Sequence, residues 1–233
     1  MTTKVHEPRL ARVAAVVADP ARSRMLCLLL SGECATAGEL AEAASVAPST
    51  ASEHLRKLLD AGLVASESRG RHRYFRLADP QVAHALEALA LVAERGSRDE
   101  AWDHPGRRRL RAARCCYGHL AGQLGVRLFG TMLERDALRA ARDGYELTDS
   151  GRAWLSSLGM SPPAPGARRR YAYACMDWSE RRDHLAGQLA SELFDHFIGK
   201  GWLRRGQDRV VEVTPQGVRE LLPRLDGEMT QRA

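Results

Sequence analysis

No stretch of the 233 residues stays apolar long enough to cross a bilayer. Runs such as Met25–Leu30 end after six residues, and a helical span needs about 20. The opening MTTKVHEPRL lacks the apolar segment of a secretory leader. Both absences predict a soluble, cytoplasmic chain with no membrane partner. Cysteine is scarce. The five residues Cys27, Cys34, Cys115, Cys116 and Cys175 are odd in number and contain no C-x-x-C spacing. That argues for reduced thiols and against a disulfide scaffold, a zinc ribbon or a thioredoxin-type site. The phosphate-binding, nucleophile-elbow and H-E-x-x-H metalloprotease signatures are missing too. FIGKGW at 197–202 holds Gly-Lys-Gly without the rest of a phosphate loop. An enzyme is not expected.

What remains is ordinary for a globular protein: 44% apolar and 27% charged residues. At about 150 residues per domain, the length suits one or two domains. A net charge of +6, from 35 basic and 29 acidic side chains, mildly favours polyanions. Its distribution says more. Arg69–Arg76 holds four Arg and no acid, Arg107–Arg114 holds five, and Arg168–Arg170 is a triplet. Any one of these runs can equally be a solvated face.

The first half carries local start and stop signals. Asp19-Pro20 suits a cap and first turn for a helix over Ala21–Leu30. Thr36 with Glu39 forms a capping box for a helix over Ala37–Ala44. Ser45-Val46-Ala47 is a short connector, and Pro48 starts another helix that Ala61-Gly62 closes. Leu63–Glu67 and Arg73–Leu77 read as strands around the turn Ser68–Arg71. Asp79-Pro80 opens a helix over 80–94, and Gly96–Gly106 reads as a linker. Two helices with a three-residue connector, then a hairpin, predict a winged helix-turn-helix. Its second helix would enter a DNA major groove.

DPARSRMLCLL, GELAEAASVAPSTASEHLRKLLDAGLV and the wing ending in YFRL resemble the ArsR (arsenic-repressor-like) family of winged-helix transcriptional regulators. The resemblance covers residues 8–94. It implies a homodimer on a pseudo-palindromic double-stranded DNA operator, usually repressing until an effector binds. The candidate DNA contacts are Ser49, Thr50, Ser52, Glu53, His54 and Arg56 of the recognition helix and Arg69, Arg71 and Arg73 of the wing. His54 has a second reading, as a support of the helix. Metal or metalloid sites of the family commonly use a Cys pair before the recognition helix or an Asp/His set on the last helix. This chain departs at both. Thr36 and Gly38 stand where the thiolates would be, and His84 and Glu87 are a lone pair.

The second half contains an internal repeat. His119–Leu124 and His184–Leu189 are both HLAGQL, and YELTDSGRAWL (145–155) parallels VEVTPQGVREL (211–221), a period of 65 to 66 residues. Each copy reads as helix, strand, helix, with PPAPG (162–166) as a hinge. The expected fold is therefore α+β, mainly α with small hairpins. A winged domain over 1–95 and a linker over 96–106 precede a duplicated effector domain over 107–233, with copies near 107–160 and 167–226.

Cys116 and His119, spaced i, i+3, are expected on one helix face. A pseudo-twofold would add Cys175 and His184, completing a Cys2His2 set suited to zinc. The vicinal pair Cys115-Cys116 also suits a soft metal or metalloid, or an oxidant. Alternatively these Cys are small buried apolar residues, or Tyr117 and Trp178 line a pocket for a small organic effector. The function expected is a DNA-binding regulator, a repressor released by an effector or thiol-reactive signal in the C-terminal domain. The alternative is a thiol-based redox or metal-binding protein whose helix-turn-helix serves protein contacts.

Overall fold

Asp19 and Pro20 start the second helix as their chemistry predicts. The Asp19 carboxylate accepts from Ala21 N at 3.0 Å and Arg22 N at 2.9 Å, and the ring of Pro20 fills the first turn. The computed structural model describes residues 10–69, 71–93, 105–164, 170–207 and 209–226. The chain divides into two units, Met1–Ala83 and His84–Ala233. That division falls ahead of the boundary expected at 95. Among the described residues no helix is long and apolar enough to cross a membrane.

The first unit runs α1 (Leu10–Val17), α2 (Pro20–Leu29), β1 (Ala35–Thr36), α3 (Ala37–Ala44), α4 (Pro48–Asp60), β2 (Val64–Arg69) and β3 (His72–Leu77). The capping box on α3 is complete: Thr36 Oγ1 accepts from Glu39 N, and Glu39 accepts from Thr36 N at 2.7 Å. Ser45 closes α3 in the left-handed region with φ 55°, so the chain turns within three residues. The strands form an antiparallel sheet in the order β1-β3-β2, with Arg69 opposite His72 at the wing tip. Met25, Leu26, Leu40, Ala51, Leu55, Leu58 and Leu77 are all buried, and the helices close over them. This is a winged helix-turn-helix. Thr36→Ala should cost about 1 kcal/mol by removing the cap, readable as a lower urea midpoint. The Glu39 carboxyl is held below its usual range, first by the Thr36 backbone N–H and then by its hydroxyl. Its share of stability is therefore present at neutral pH and lost as acid protonates it.

The last helix of the winged segment, α5 (Pro80–Ala93), starts in the first unit, but its His84–Ala93 part belongs to the second. Of the expected linker, 96–104 lie outside the described residues, and Pro105 and Gly106 already open α6 (Pro105–Ala112). Then follow β4 (Arg114–Cys116), β5 (His119–Ala121), α7 (Gly122–Glu134), β6 (Leu138–Ala141), β7 (Gly144–Leu147) and α8 (Asp149–Ser157). Of PPAPG, residues 165–166 lie outside the described residues. The same order recurs in β8 (Tyr173–Met176), β9 (Asp183–Ala186), α9 (Gln188–Gly199), β10 (Leu203–Arg205), β11 (Val211–Val213), α10 (Pro215–Glu220) and the short α11 (Leu222–Leu225).

Each stretch thus holds the expected helix, strand and helix, with a hairpin ahead of them that the residues read as helix. HLAGQL straddles strand and helix in both places. The break is the glycine: Gly122 has φ 77° and Gly187 has φ 99°, conformations an L side chain rarely adopts. The two stretches also exchange equivalent hydrogen bonds. Tyr145 N donates to Ala172 O at 2.9 Å, and Val211 N donates to Ala113 O at 3.0 Å. Their buried apolar faces merge in one core around Phe129, Met132, Leu155, Leu193, Phe194 and Phe197.

Candidate functional site

Two groups of side chains stand out, one in each unit. On α4, Ala51, Leu55 and Leu58 face the core, which leaves Ser49, Thr50, Ser52, Glu53 and Arg56 exposed. Among the described residues, the outward groups make local contacts. Ser52 Oγ donates to Pro48 O at 2.9 Å, Lys57 Nζ pairs with Glu53 at 2.8 Å, and Arg56 pairs with Asp60 at 3.4 Å. Exposed pairs of this kind are weak, so a phosphate can compete for Arg56 and Lys57.

His54 has contacts that fit its second reading, as a support of the helix. Its Nδ1 lies 3.3 Å from Arg22 Nη1 and 3.8 Å from Asp19 Oδ1, and its side chain is 14% exposed. It ties α4 to the start of α2. On the wing, Arg69 pairs with Glu67 at 3.1 Å. Arg73 donates to Ser66 Oγ at 2.9 Å and lies over the Phe75 ring. Arg71 is exposed at the tip.

In the second unit, Cys116 and His119 do not share a helix face. They are directly opposed across the β4–β5 hairpin, and Cys175 and His184 are directly opposed across β8–β9. The spacings differ only because the second hairpin has the longer loop. One ligand atom from each of the four residues lies within 4.8 Å of all the others, and all four are buried. The two imidazoles meet through Nε2 atoms 3.1 Å apart.

The electrostatics are strongly perturbed. Cys175 is held far below the ordinary thiol range, chiefly by a hydrogen bond from Cys116 and then by both imidazoles. The same bond, with burial, pushes Cys116 up. Burial pushes His119 down.

A shell of buried ions surrounds the group. Asp177 Oδ2 faces His184 Nδ1 at 3.4 Å and accepts from Gly122 N at 2.7 Å, while its other oxygen pairs with Arg114 at 2.9 Å. Burial disfavours the Asp177 carboxylate, but Arg114 and His184 outweigh it and hold its pKa at about 2. Glu87 of α5 binds Arg209 at 2.8 Å and approaches Arg114 at 3.9 Å.

Asp177, Arg114 and Arg209 are not among the sequence candidates, and Glu87 is weighed there only as a partner of His84. Asp177 reads as a helical partner of Arg181 and Arg182, yet it sits in a loop and its charge partner is Arg114. In the sequence, only the density of ionisable groups over residues 175–184 (CMDWSERRDH) signals it. Cys115 is not part of the group: successive strand residues point to opposite faces, and Cys115 packs into the main core with Leu120. The vicinal thiols therefore do not face one ligand together. Trp178 is buried beneath the Arg114 guanidinium, 4.4 Å from ring centroid to Cζ. Tyr117 occupies the tight β4–β5 turn with φ 46°.

The model of a helix-turn-helix domain family matches residues 17–67. The uncharacterized HTH-type transcriptional regulator YdfF of Bacillus subtilis (strain 168) is 37% identical over 212 residues, covering 90% of this chain and 94% of its own. The chain belongs to the ArsR family of winged helix-turn-helix regulators. It is a transcriptional regulator with a helix-turn-helix DNA-binding domain. The HTH-type transcriptional regulator CmtR of Mycobacterium tuberculosis (strain ATCC 25618 / H37Rv) is 39% identical over 92 residues, 40% of this chain and 77% of its own. A probable mercury resistance operon repressor of Streptomyces lividans is 35% identical over 88 residues, 38% of this chain and 70% of its own.

Against the ArsR pattern, this chain has no thiolate pair on α3, where Thr36 is the cap and Gly38 follows. Its two α5 candidates are engaged inside the second unit. His84 meets the Tyr173 hydroxyl at 3.0 Å, and Glu87 holds Arg209.

Proposed function

We propose that this ArsR-family regulator is a homodimeric repressor that grips its operator through α4 and the wing and releases it when the second unit takes up an effector. The observation that carries the DNA half is the α4 face: five polar side chains point outward from a helix whose opposite side is locked in the core. Beside it stands a hairpin with Arg69, Arg71 and Arg73, all exposed. Short hydroxyls at the start of a recognition helix suit phosphates and base edges, and arginines on a wing suit backbone and minor groove. The Streptomyces relative, named as a repressor, supports the sign of regulation. The strong second cluster of buried ionisable groups supports a signal entering through the second unit.

The test is Arg71→Glu with Arg73→Glu. Each phosphate contact contributes about 0.9 to the slope of log K against log salt. A dimer losing four such contacts should show specific affinity down by orders of magnitude and a slope shallower by about 3 to 4. Fluorescence anisotropy on a labelled operator across a salt series reads both. Unchanged affinity and slope would remove the wing from the interface and favour a helix-turn-helix that serves protein contacts.

The dimer reading has its own observation. Leu10 is 72% exposed on α1, and Leu89 and Val92 on α5 are each 53% exposed. Apolar side chains left outside on two helices are what a second copy would cover. Leu89→Glu with Val92→Glu should bring the light-scattering mass from two chains to one. A mass that stays at two chains would place the dimer surface elsewhere.

A further inference from the structure

We propose that Cys116, His119, Cys175 and His184 form a closed four-ligand site for one thiophilic divalent cation of the zinc class. The ion would lie where the β4–β5 and β8–β9 hairpins face each other.

The geometry is the first support. A tetrahedral ion with bonds near 2.05 Å to nitrogen and 2.3 Å to sulfur needs nitrogens about 3.3 Å apart and sulfurs about 3.8 Å apart. The two Nε2 atoms are 3.1 Å apart, and all four ligand atoms fall within 4.8 Å. Each hairpin supplies one Cys and one His at directly opposed positions, so the set has the same near-twofold relation as the strands that carry it. An ion between the two imidazoles completes that arrangement. With four protein ligands, no coordination position stays open for catalysis, so the site is a holding site.

Charge is the second support. A buried site must be close to neutral. Two thiolates cancel a dication, and neutral imidazoles add nothing. The surrounding buried ions already balance: Asp177 and Glu87 against Arg114 and Arg209. A dication held by both sulfurs as thiolates therefore leaves the interior uncharged overall.

The outer shell is the third. His184 turns Nε2 to the group and Nδ1 to Asp177, which is anchored by Gly122 N, Ser179 N and Arg114. Among the described residues Nδ1 makes no hydrogen bond, but the Asp177 carboxylate behind it is placed to fix the tautomer and orientation of a ligating imidazole. Entry is provided by a cleft of about 260 Å³ between α5 and β8, lined by His84, Glu87, Tyr173 and Cys175.

The donor set also selects. Calcium and magnesium want oxygen, and among the described residues no carboxylate is part of the group. A three-thiolate site for a softer metalloid would need Cys115, which faces the other way.

Only the consequence for operator binding rests on the regulator reading, so the test is made without DNA. Cobalt(II) is titrated into reduced, chelator-treated full-length protein. One equivalent per chain is expected, with the intense visible bands of a tetrahedral ion and a near-ultraviolet thiolate-to-cobalt band. Zinc should displace it. Removing an outer-shell partner typically costs 10- to 100-fold in affinity, and removing a ligand should cost more. Cys175→Ser should therefore weaken binding by more than about 100-fold, while Cys115→Ser, with a thiol on the opposite face, should keep both spectrum and stoichiometry.

Failure of the reduced protein to bind, a weak octahedral spectrum, or an unchanged spectrum in folded Cys175→Ser would each overturn the site. So would a Cys116–Cys175 disulfide whose reduction restores no metal uptake. If Cys175→Ser does not fold by circular dichroism, the wild-type spectrum decides alone: thiolate bands support the site, and their absence overturns it. A positive titration beside a failed wing experiment would leave the metal site standing and remove only the DNA reading.

Discussion

Arg114→Met should destabilise the second unit by about 3–5 kcal/mol, the loss typical when one partner is removed from a buried ion pair. The Arg114 side chain is fully buried. It pairs with Asp177 at 2.9 Å, donates to Ser179 Oγ at 3.0 Å and lies over Trp178. Met fills a similar volume, so the effect read is electrostatic rather than a cavity. Glu87 keeps Arg209 at 2.8 Å, so Asp177 is the carboxylate left without a cation.

Urea unfolding measures the loss, and two variants identify its cause. Adding Asp177→Asn to Arg114→Met should recover part of it, because no uncompensated charge then remains buried. Arg111→Met removes a half-exposed pair with Glu180 and should cost less than about 1 kcal/mol.

The acid dependence should also weaken. In the wild type the folded pKa of Asp177 is depressed to about 2. Its contribution is complete above the unfolded-state value near 3.9 and is lost as the pH falls toward about 2. Without Arg114, burial is opposed only by His184, Gly122 N and Ser179, so the depression should shrink and the variant should lose less stability than the wild type as the pH falls toward about 2. An Arg114→Met protein as stable as wild type at neutral pH would mean that the ionic shell does not hold the hairpins together.

The contrast between the two units shows what a sequence makes legible. The winged helix rests on local signals. Asp19-Pro20, Thr36 with Glu39 and Pro48 each act within four residues, so each could be read from the chain alone; the wing turn reads too long, since Ser68 and Arg69 pair with Arg73 and His72 as strand. The Cys/His group rests on strand register. Cys116 and His119 are separated by two residues, and Cys175 and His184 by eight, so sequence spacing hides that both pairs are directly opposed. HLAGQL reads as helix because its apolar spacing fits one. Only the positive φ of Gly122 and Gly187, set by backbone packing, makes its first half a strand. Asp177 and Arg114 lie too far apart in sequence for any periodicity to join them. His54 shows the reverse limit. It lies on the correct helix, but Arg22 and Asp19 hold it on the inner side.

Gly151→Ala and Gly217→Ala should each cost about 3 kcal/mol, at the upper end for overpacking, although alanine is the better helix former. Both glycines sit in the first turn of a helix, three residues after a threonine cap. Thr148 Oγ1 accepts from Gly151 N at 3.0 Å, and Thr214 Oγ1 accepts from Gly217 N at 3.0 Å. Each threonine hydroxyl also donates to a carbonyl of the preceding turn, Asp136 O and Gly201 O, both at 2.6 Å. That clamp draws the helix start onto the chain ahead of β6 or β10. A Cβ on Gly151 would overlap the Ala137 carbonyl, and one on Gly217 would overlap the Trp202 carbonyl. The obstructing atoms are backbone in both places, so no side-chain rotation relieves them. The T-x-x-G signature is therefore a packing requirement, met once in each stretch. Thr148→Ala and Thr214→Ala, which remove the cap without adding bulk, should lose only about 1 kcal/mol. Urea midpoints for the four variants separate the effects. If the glycine variants lose no more than the threonine variants, the helix starts are held by their caps alone and the close backbone approach carries no weight.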